Sequence, residues 1–331
     1  MSRTYQQTSW SLKDLFDSYD GQDMQDAFQA VDTAVSAFEQ YRTQLSADIP
    51  VNRFLKILKE LEEINRQGAR VYGFASLWFA ADTQDQNAQT FIARVQQWGA
   101  ELENRTLFFS LWWKALDKAA ADRLMAEAGD YRYWLEEMRH FKPHTLSEPE
   151  EKIINTKNTT GLQAFHNLYD AITNRYIFKL TIEGEERELT RGEVMVYARH
   201  HDPELRSQAY QELYRVYGQD GPILGQIYQT LVRDWRNEQV QMRQFSNPIS
   251  ARNLINDIPD EVVSTLLNVC QENAPVFQRY FRLKARLLGM DRLRRYDVYA
   301  PVARSDKTFE FGSAATLVLD SFNQFSPKVA E

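Results

Sequence analysis

The sequence predicts a mainly α-helical protein, a lobe of long helices followed by a helical domain with one small β-hairpin at about residues 175–189. Three observations predict it. Apolar residues recur in steps of three and four over most of the chain, the signature of one buried helical face. A single segment alternates with period two. The 13 glycines and 10 prolines in 331 residues fall below the roughly 7% and 5% of average chains, as expected for long helices with few turns. At about 150 residues per domain the length suggests roughly two domains, and a chain this long buries enough surface to hold a core without staples.

From Gln22 to Leu45 the positions Met24, Ala27, Phe28, Val31, Ala34, Val35, Phe38 and Tyr41 form one stripe. Pro50 breaks it, and a second stripe runs through Phe54, Leu58, Leu61, Ile64, Val71, Phe74 and Leu77. A third carries Phe91, Val95, Trp98, Leu102 and Leu107 to Leu111. Three long antiparallel helices with short connections are the simplest arrangement of residues 20–115. Leu107–Trp113 is apolar almost all round, which predicts burial against a second layer.

Ser147-Glu148-Pro149-Glu150 reads as a helix start, with Ser147 as cap, Glu150 reaching back to its amide and Pro149 in the first turn. The helix is expected to run past Ile153 and Ile154 toward Leu168. In Arg175–Glu183, Tyr176, Phe178, Leu180 and Ile182 alternate onto one face; Gly184 supplies a turn and Glu186–Leu189 a returning strand. Thr190 with Glu193 forms a second capping box. Asp202-Pro203, Gly221-Pro222 and Asp257-Ile-Pro259 each open a helix. The stripe Val262, Val263, Leu266, Leu267 and Cys270 continues through Phe277, Tyr280, Phe281, Leu287 and Leu288 to Gly289, and a last helix spans Ala314 to Phe325.

Composition excludes several classes. One cysteine rules out a disulfide framework and any Cys-rich zinc or iron–sulfur site. With 39 Lys and Arg against 46 Asp and Glu, the net charge of −7 disfavours nonspecific binding to a phosphate backbone. The basic run Arg292-Leu-Arg-Arg295 reads as a solvated or ion-paired face. No apolar run approaches the roughly 20 residues that span a bilayer, and Met1–Gln7 is not followed by a signal peptide's apolar core. The reading is a cytoplasmic protein with no nucleic-acid or membrane partner.

The search for chemistry finds no assembled site. A zinc peptidase of the His-Glu-x-x-His type needs two histidines one helical turn apart with a glutamate between them as general base. Of His140, His144, His166, His200 and His201, only His140 and His144 have that spacing; Phe141 stands where the glutamate belongs, and Pro143 breaks the helix. His200 and His201 read as a helix-end pair interacting with the last carbonyls. Cys270 reads as a small buried hydrophobe. Glu136-Glu137 and Glu148, Glu150 and Glu151 read as charged helix faces and caps. The chain has no P-loop, dinucleotide fingerprint or nucleophile elbow. No catalytic, cofactor-binding or metal-ligating residue is assigned within it.

Pro143-His-Thr-Leu-Ser-Glu-Pro-Glu-Glu-Lys152 resembles oligoendopeptidase F and its relatives among the thimet-oligopeptidase-like zinc peptidases. Asp202–Tyr210, Asn247–Arg252 with Asn256–Ile258, Tyr280–Asp291 and Tyr296-Asp297 are similar to the family in order and spacing. The resemblance implies a two-lobed enzyme whose deep channel admits short peptides, with one zinc ion held by the two histidines of His-Glu-x-x-His and a later glutamate. This chain has no His-Glu dipeptide, so none of those positions carries over and no zinc is expected in the chain alone. The implied organisation is an N-terminal helical lobe at 1–114, an oligopeptidase F-type helical domain with the hairpin at 115–189, and at 190–331 the beginning of a peptidase domain truncated before the zinc helix. On that reading the chain is the N-terminal portion of a zinc oligoendopeptidase, inactive by itself, and helices that should pack on the missing half leave an apolar face exposed. The alternative is a complete non-catalytic protein on the same scaffold that binds peptides or a partner subunit. Peptide preference, channel lining and oligomeric state are not legible.

Overall fold

A computed structural model of the chain describes residues 5, 6, 8, 10–303 and 308–331. Of the segment read for a signal peptide, Met1–Thr4 and Gln7 lie outside the described residues. The first three helices are α1 (Gln22–Glu39), α2 (Val51–Ala81) and α3 (Gln86–Ala115). A 3-10 turn at Gln40–Gln44 ends α1, and the Asp85 carboxylate caps α3 by accepting from the Asn87 and Ala88 amides. Phe28 packs on Phe91 and Trp98 while Phe38 packs on Phe108, so α1 and α3 run in the same direction. Phe54 meets Phe109 and Trp113 whereas Phe74 meets Phe91, so α2 runs against α3.

Helices α4 (Lys118–Ala126) and α5 (Arg132–His140) form the second layer expected for the Trp-rich segment. Leu124 and Leu135 close over Phe109 and Trp113 in one continuous core that begins at Val31. Trp113 is fully buried, and its indole N–H donates to the Leu135 carbonyl at 2.8 Å, which removes the penalty of burying a polar atom. A second core at the other end of the bundle gathers Phe16, Met24, Phe74, Phe91 and Val95.

The long helix expected from Ser147 to Leu168 is two helices, α6 (Glu148–Thr160) and α7 (Leu162–Asn174). The break is at Gly161, whose backbone (φ −104°, ψ −104°) is not helical and would bring a Cβ to 3.0 Å from the Lys157 carbonyl. Asn158-Thr159-Thr160, weak helix formers, precede it. Ser147 opens α6 as expected, its amide and hydroxyl both donating to the Glu150 carboxylate at 2.9 and 2.6 Å. Polar side chains join α6 and α7 to α3: Asn155 donates to Asn104 at 3.1 Å, Asn104 to Thr156 at 3.1 Å and Asn167 to Gln96 at 3.0 Å.

Strands β1 (Phe178–Ile182) and β2 (Glu185–Leu189) pair antiparallel, with Phe178 opposite Leu189 and Ile182 opposite Glu185. Glu183 (φ 54°) and Gly184 (φ 86°) are both left-handed, the two-residue turn whose twist suits a hairpin. Phe178, Leu180 and Ile182 face inward onto Val194 of α8 (Arg191–Tyr197) and Ala209 and Val216 of α9 (Pro203–Gln219).

Helix α10 (Gly221–Trp235) continues into a π-helical stretch, Arg236–Met242. The chain then forms α11 (Pro248–Ile255), α12 (Asp260–Glu272), α13 (Ala274–Leu287), α14 (Phe311–Phe325) and the single turn α15 (Pro327–Ala330). Gly289 (φ 69°) ends α13: its amide and that of Met290 return to the carbonyls of Arg286 and Ala285. The stripe on α12 and α13 is helical as expected, but it is not covered. Leu267 is 63% and Phe277 59% exposed, and Cys270, expected in a core, is exposed as well, because nothing among the described residues packs over that face. No helix among the described residues is long and apolar enough to cross a membrane.

Candidate functional site

Two ionic clusters and a groove stand out among the described residues. The first cluster joins two of the family-like motifs across the chain. Arg206 on α9 and Asp297 are 1% and 0% exposed, and the Arg206 Nη2 and Nε donate to Asp297 Oδ1 at 2.7 and 3.2 Å. Arg206 Nη1 also donates to the carbonyls of His200 and His201 at 2.6 and 2.8 Å. Asp297 receives the Arg294 amide and guanidinium on its other oxygen. Burial pushes the Asp297 carboxyl up, and the hydrogen bonds from Arg294 and Arg206 overcome it, so it titrates below its ordinary value. Every lone pair has a donor, which is the arrangement of a structural anchor. The helix-end role expected of the His200 and His201 side chains is not theirs: Arg206, not an imidazole, donates to the carbonyls there. The His200 ring accepts from the Asp202 amide at 3.2 Å, and burial, with His201 beside it, holds its pKa below 6.5. The Arg292–Arg295 run is ion-paired through Arg294, and Arg295 lies 5.8 Å from the Tyr299 ring.

The second cluster lies where α3, α6 and the π-helical stretch meet. The Arg243 amide donates to the Glu238 carbonyl at 2.9 Å, an i to i−5 bond. The side chain of Arg243 grips both oxygens of Glu151 at 2.8 Å, and its Nε reaches Glu238 at 2.9 Å. Burial raises the Glu151 carboxyl, and the bonds from Arg243 and the Leu146 amide more than reverse that. His144 is held by the same cluster: its Nδ1 bonds the Arg243 carbonyl at 2.8 Å and its ring stacks on Phe245 at 3.5 Å. The glutamates of the Ser147 segment are thus engaged, Glu148 with Arg42 and Lys152, Glu150 at the cap and Glu151 with Arg243.

The groove runs between α2, α3 and the α6–α7 pair. Two adjoining hollows of about 390 and 330 Å³ share Tyr72, Val95, Gly99 and Glu103. Gly68 and Gly99 form part of the lining, and a Cβ on either would meet nothing within 4 Å. Alanine would stabilise each helix by about 1 kcal/mol, so stability alone does not account for these glycines. Glu103, on α3, is exposed and lines both hollows, and its carboxylate has no hydrogen-bond or ion-pair partner among the described residues. Desolvation pushes its carboxyl up, and the charge of Glu151 adds to the shift. Three turns farther along α3, Lys114 is pushed down by burial, with Glu151 opposing.

The residues described do not fit a zinc ion. His140 and His166 are exposed on α5 and α7, His144 is spent on Arg243 and Phe245, and His200 and His201 stack on one another with ring centres 4.1 Å apart. No group of three or more His, Cys, Asp or Glu among the described residues is placed to hold a metal. Sequence reading missed Arg243 and Glu103 altogether. Glu103 sits on an ordinary charged helix position and Arg243 just past the π-helical stretch, and only the packing of segments distant in sequence sets Arg243 against Glu151.

Residues 112–178 match the family model described as oligopeptidase F, and residues 196–317 match that of peptidase family M3. The chain is 27% identical over 266 residues to group B oligopeptidase PepB of Streptococcus agalactiae, covering 78% of this chain and 44% of that protein. It is 22% identical over 303 residues to oligopeptidase PepF of Bacillus subtilis, covering 89% and 44%. The chain therefore spans about half the length of the curated relatives it matches. The crystal structure of oligoendopeptidase-F from Enterococcus faecium shares the fold, with a TM-score of 0.75, 21% identity, and coverage of 91% of this chain and 62% of that one. Two family segments in order, on a helical fold with one hairpin, place the chain in peptidase family M3, as an oligoendopeptidase F-like member.

Proposed function

We propose that the chain is the N-terminal portion of a zinc-dependent oligoendopeptidase of the cytoplasm that hydrolyses internal bonds of short peptides, with the metal and its general base on residues outside this chain. The observation that carries the reading is the ordered pair of matched segments, 112–178 and 196–317, on the oligoendopeptidase fold. The apolar faces of α12 to α14 agree with it, since Leu267, Phe277, Leu317 and Phe322 are built to be covered. In this reading residues 1–189 form a lobe and helical domain that wall a peptide channel, and 190–331 open the peptidase domain.

The test has two parts. Zinc titration and a chelator-controlled hydrolysis assay on the 331-residue protein are expected to give neither tight zinc binding nor cleavage. Near-stoichiometric zinc with chelator-sensitive cleavage would overturn the reading. Sequencing the coding DNA past the Glu331 codon is expected to reveal an open frame encoding His-Glu-x-x-His on a helix. A stop codon there would instead favour a non-catalytic peptide- or partner-binding scaffold.

A further inference from the structure

We propose that the segment from Tyr5 to Phe16 is a releasable clasp. It ties α14, the last long helix of the chain, to the N-terminal bundle, and its docking sets the position of the apolar face that α14 presents. Both ends of the contact lie within this chain, so the inference goes beyond the peptidase reading and stands whether or not a metal-bearing half follows.

The bundle end of the segment is fixed by packing. Phe16 is buried in the second core with Leu12 and Leu15 packed beside it, and the amides of Leu15 and Phe16 return to the Leu12 carbonyl at 2.9 and 3.1 Å. Arg70 of α2 lies 4.2 Å from the centre of the Phe16 ring and donates to the Leu15 carbonyl.

The other end meets α14 through backbone. A Cβ at Gly312 would stand 2.9 Å from the Tyr5 carbonyl oxygen, inside van der Waals contact, so glycine is the residue that lets the two backbones come this close. Gly312 is helical rather than left-handed, so the approach of Tyr5, and not a turn, accounts for the glycine. The contact falls on the first turn of α14, which has no side-chain cap from Glu310. Its first intrahelical bond runs from the Ala314 amide to the Glu310 carbonyl at 2.9 Å, leaving the amides of Phe311, Gly312 and Ser313 without an acceptor inside the helix. The Tyr5 oxygen sets the negative end of a peptide dipole against that positive helix end.

Little else among the described residues holds α14. None of its residues is buried. Its half-buried positions, Gly312, Ala314, Ala315 and Leu319, all lie toward the end that meets Tyr5, and 320–325 are exposed throughout. A helix of 15 residues with nothing over it is marginal in water. The clasp itself is lightly held, since Gln6, Thr8 and Trp10 are exposed, Trp10 by 89%. On release α14 frays, and Leu317, Val318 and Phe322 lose their common face.

Hydrogen exchange read by mass spectrometry over 311–325 of the 331-residue protein tests this, because helix propensity and the clasp predict opposite signs for Gly312→Ala. Alanine favours a helix over glycine, so propensity alone slows exchange, as expected for Gly225→Ala in α10, where a Cβ meets nothing within 4 Å. The clasp predicts faster exchange in α14, by about 5-fold, the scale of losing one docked contact, because the added methyl drives Tyr5 away. Deleting residues 1–10, which leaves Leu12 and Phe16 in place, should raise α14 exchange to the same extent. Adding Gly312→Ala to that deletion should raise it no further. Slower exchange in Gly312→Ala, unchanged α14 exchange after the deletion, or effects that add would each overturn the clasp. Exchange of α14 at the unprotected rate in the unaltered protein would overturn it too, since nothing would then be held.

Discussion

The bundle α1–α5 and the helices α12–α14 carry apolar stripes of the same spacing, yet they end in opposite environments. Trp113, Phe109 and Phe54 are fully buried between layers, whereas Leu266, Leu267 and Phe277 are more than half exposed. Neither α12 nor α14 contains a buried residue. A stripe at helical spacing states that a helix has a face to cover; it does not state what covers it. In the bundle the cover lies nearby in sequence, so local hairpins of helices close the core. Beyond residue 200 the fold is held at different points, by the buried Arg206–Asp297 pair and the Arg243–Glu151 grip, which act across about ninety residues of chain each.

The sharpest way to break that comparison is a pair of truncations. Trp113→Ala is expected to cost about 3–5 kcal/mol, the range for emptying a large aromatic site in a packed core. Leu267→Ala is expected to stay within about 0.5 kcal/mol, as for a surface change. Denaturant midpoints at constant m-value decide it, and equal losses would mean that the α12 face is covered in solution.

The ionic anchor should give the next largest effect. Asp297→Ala strands a buried guanidinium and is expected to cost about 3 kcal/mol, the low end for such pairs because the His200 and His201 carbonyls still accept from Arg206. Replacing both partners, Arg206→Met with Asp297→Leu, should recover only part of that loss: it removes the stranded buried guanidinium but leaves Arg294 and the His200 and His201 carbonyls without their partners. A single-variant cost near zero would show that the pair does not anchor the region beyond residue 200.

The smallest effect lies at the seam between the bundle and α6. The Arg42 guanidinium, with Lys152, holds the Glu148 carboxyl at about 2 against an ordinary 4.5. A depressed carboxyl stabilises the native state above its ordinary pKa and loses that contribution as pH falls from 4.5 toward 2. The pair is partly exposed, so solvent screening limits the contribution to less than about 1 kcal/mol. Glu148→Gln should therefore lower stability slightly at pH 6 and flatten its decline between pH 5 and 3, read from urea midpoints at each pH. An unchanged slope would mean that the seam draws nothing from this pair.

Much of this architecture was legible residue by residue. The capping boxes at Ser147 and Thr190, the alternation of Phe178, Leu180 and Ile182, and the left-handed turn at Gly184 are local, because each is decided by groups a few positions apart. The break at Gly161 was not legible, because a glycine inside a helical pattern is compatible with either continuation or interruption. Family membership was legible too, since ordered motifs survive at low identity. Burial of Cys270 was misread because the sequence specifies a stripe's spacing but not its neighbour. The pairing of Arg206 with Asp297 and of Arg243 with Glu151, and the place of Glu103 beside an open groove, were decided by tertiary structure alone. A charged residue on a helix reads the same whether it meets water, a partner or an empty hollow, and only the packing of helices distant in sequence distinguishes the three.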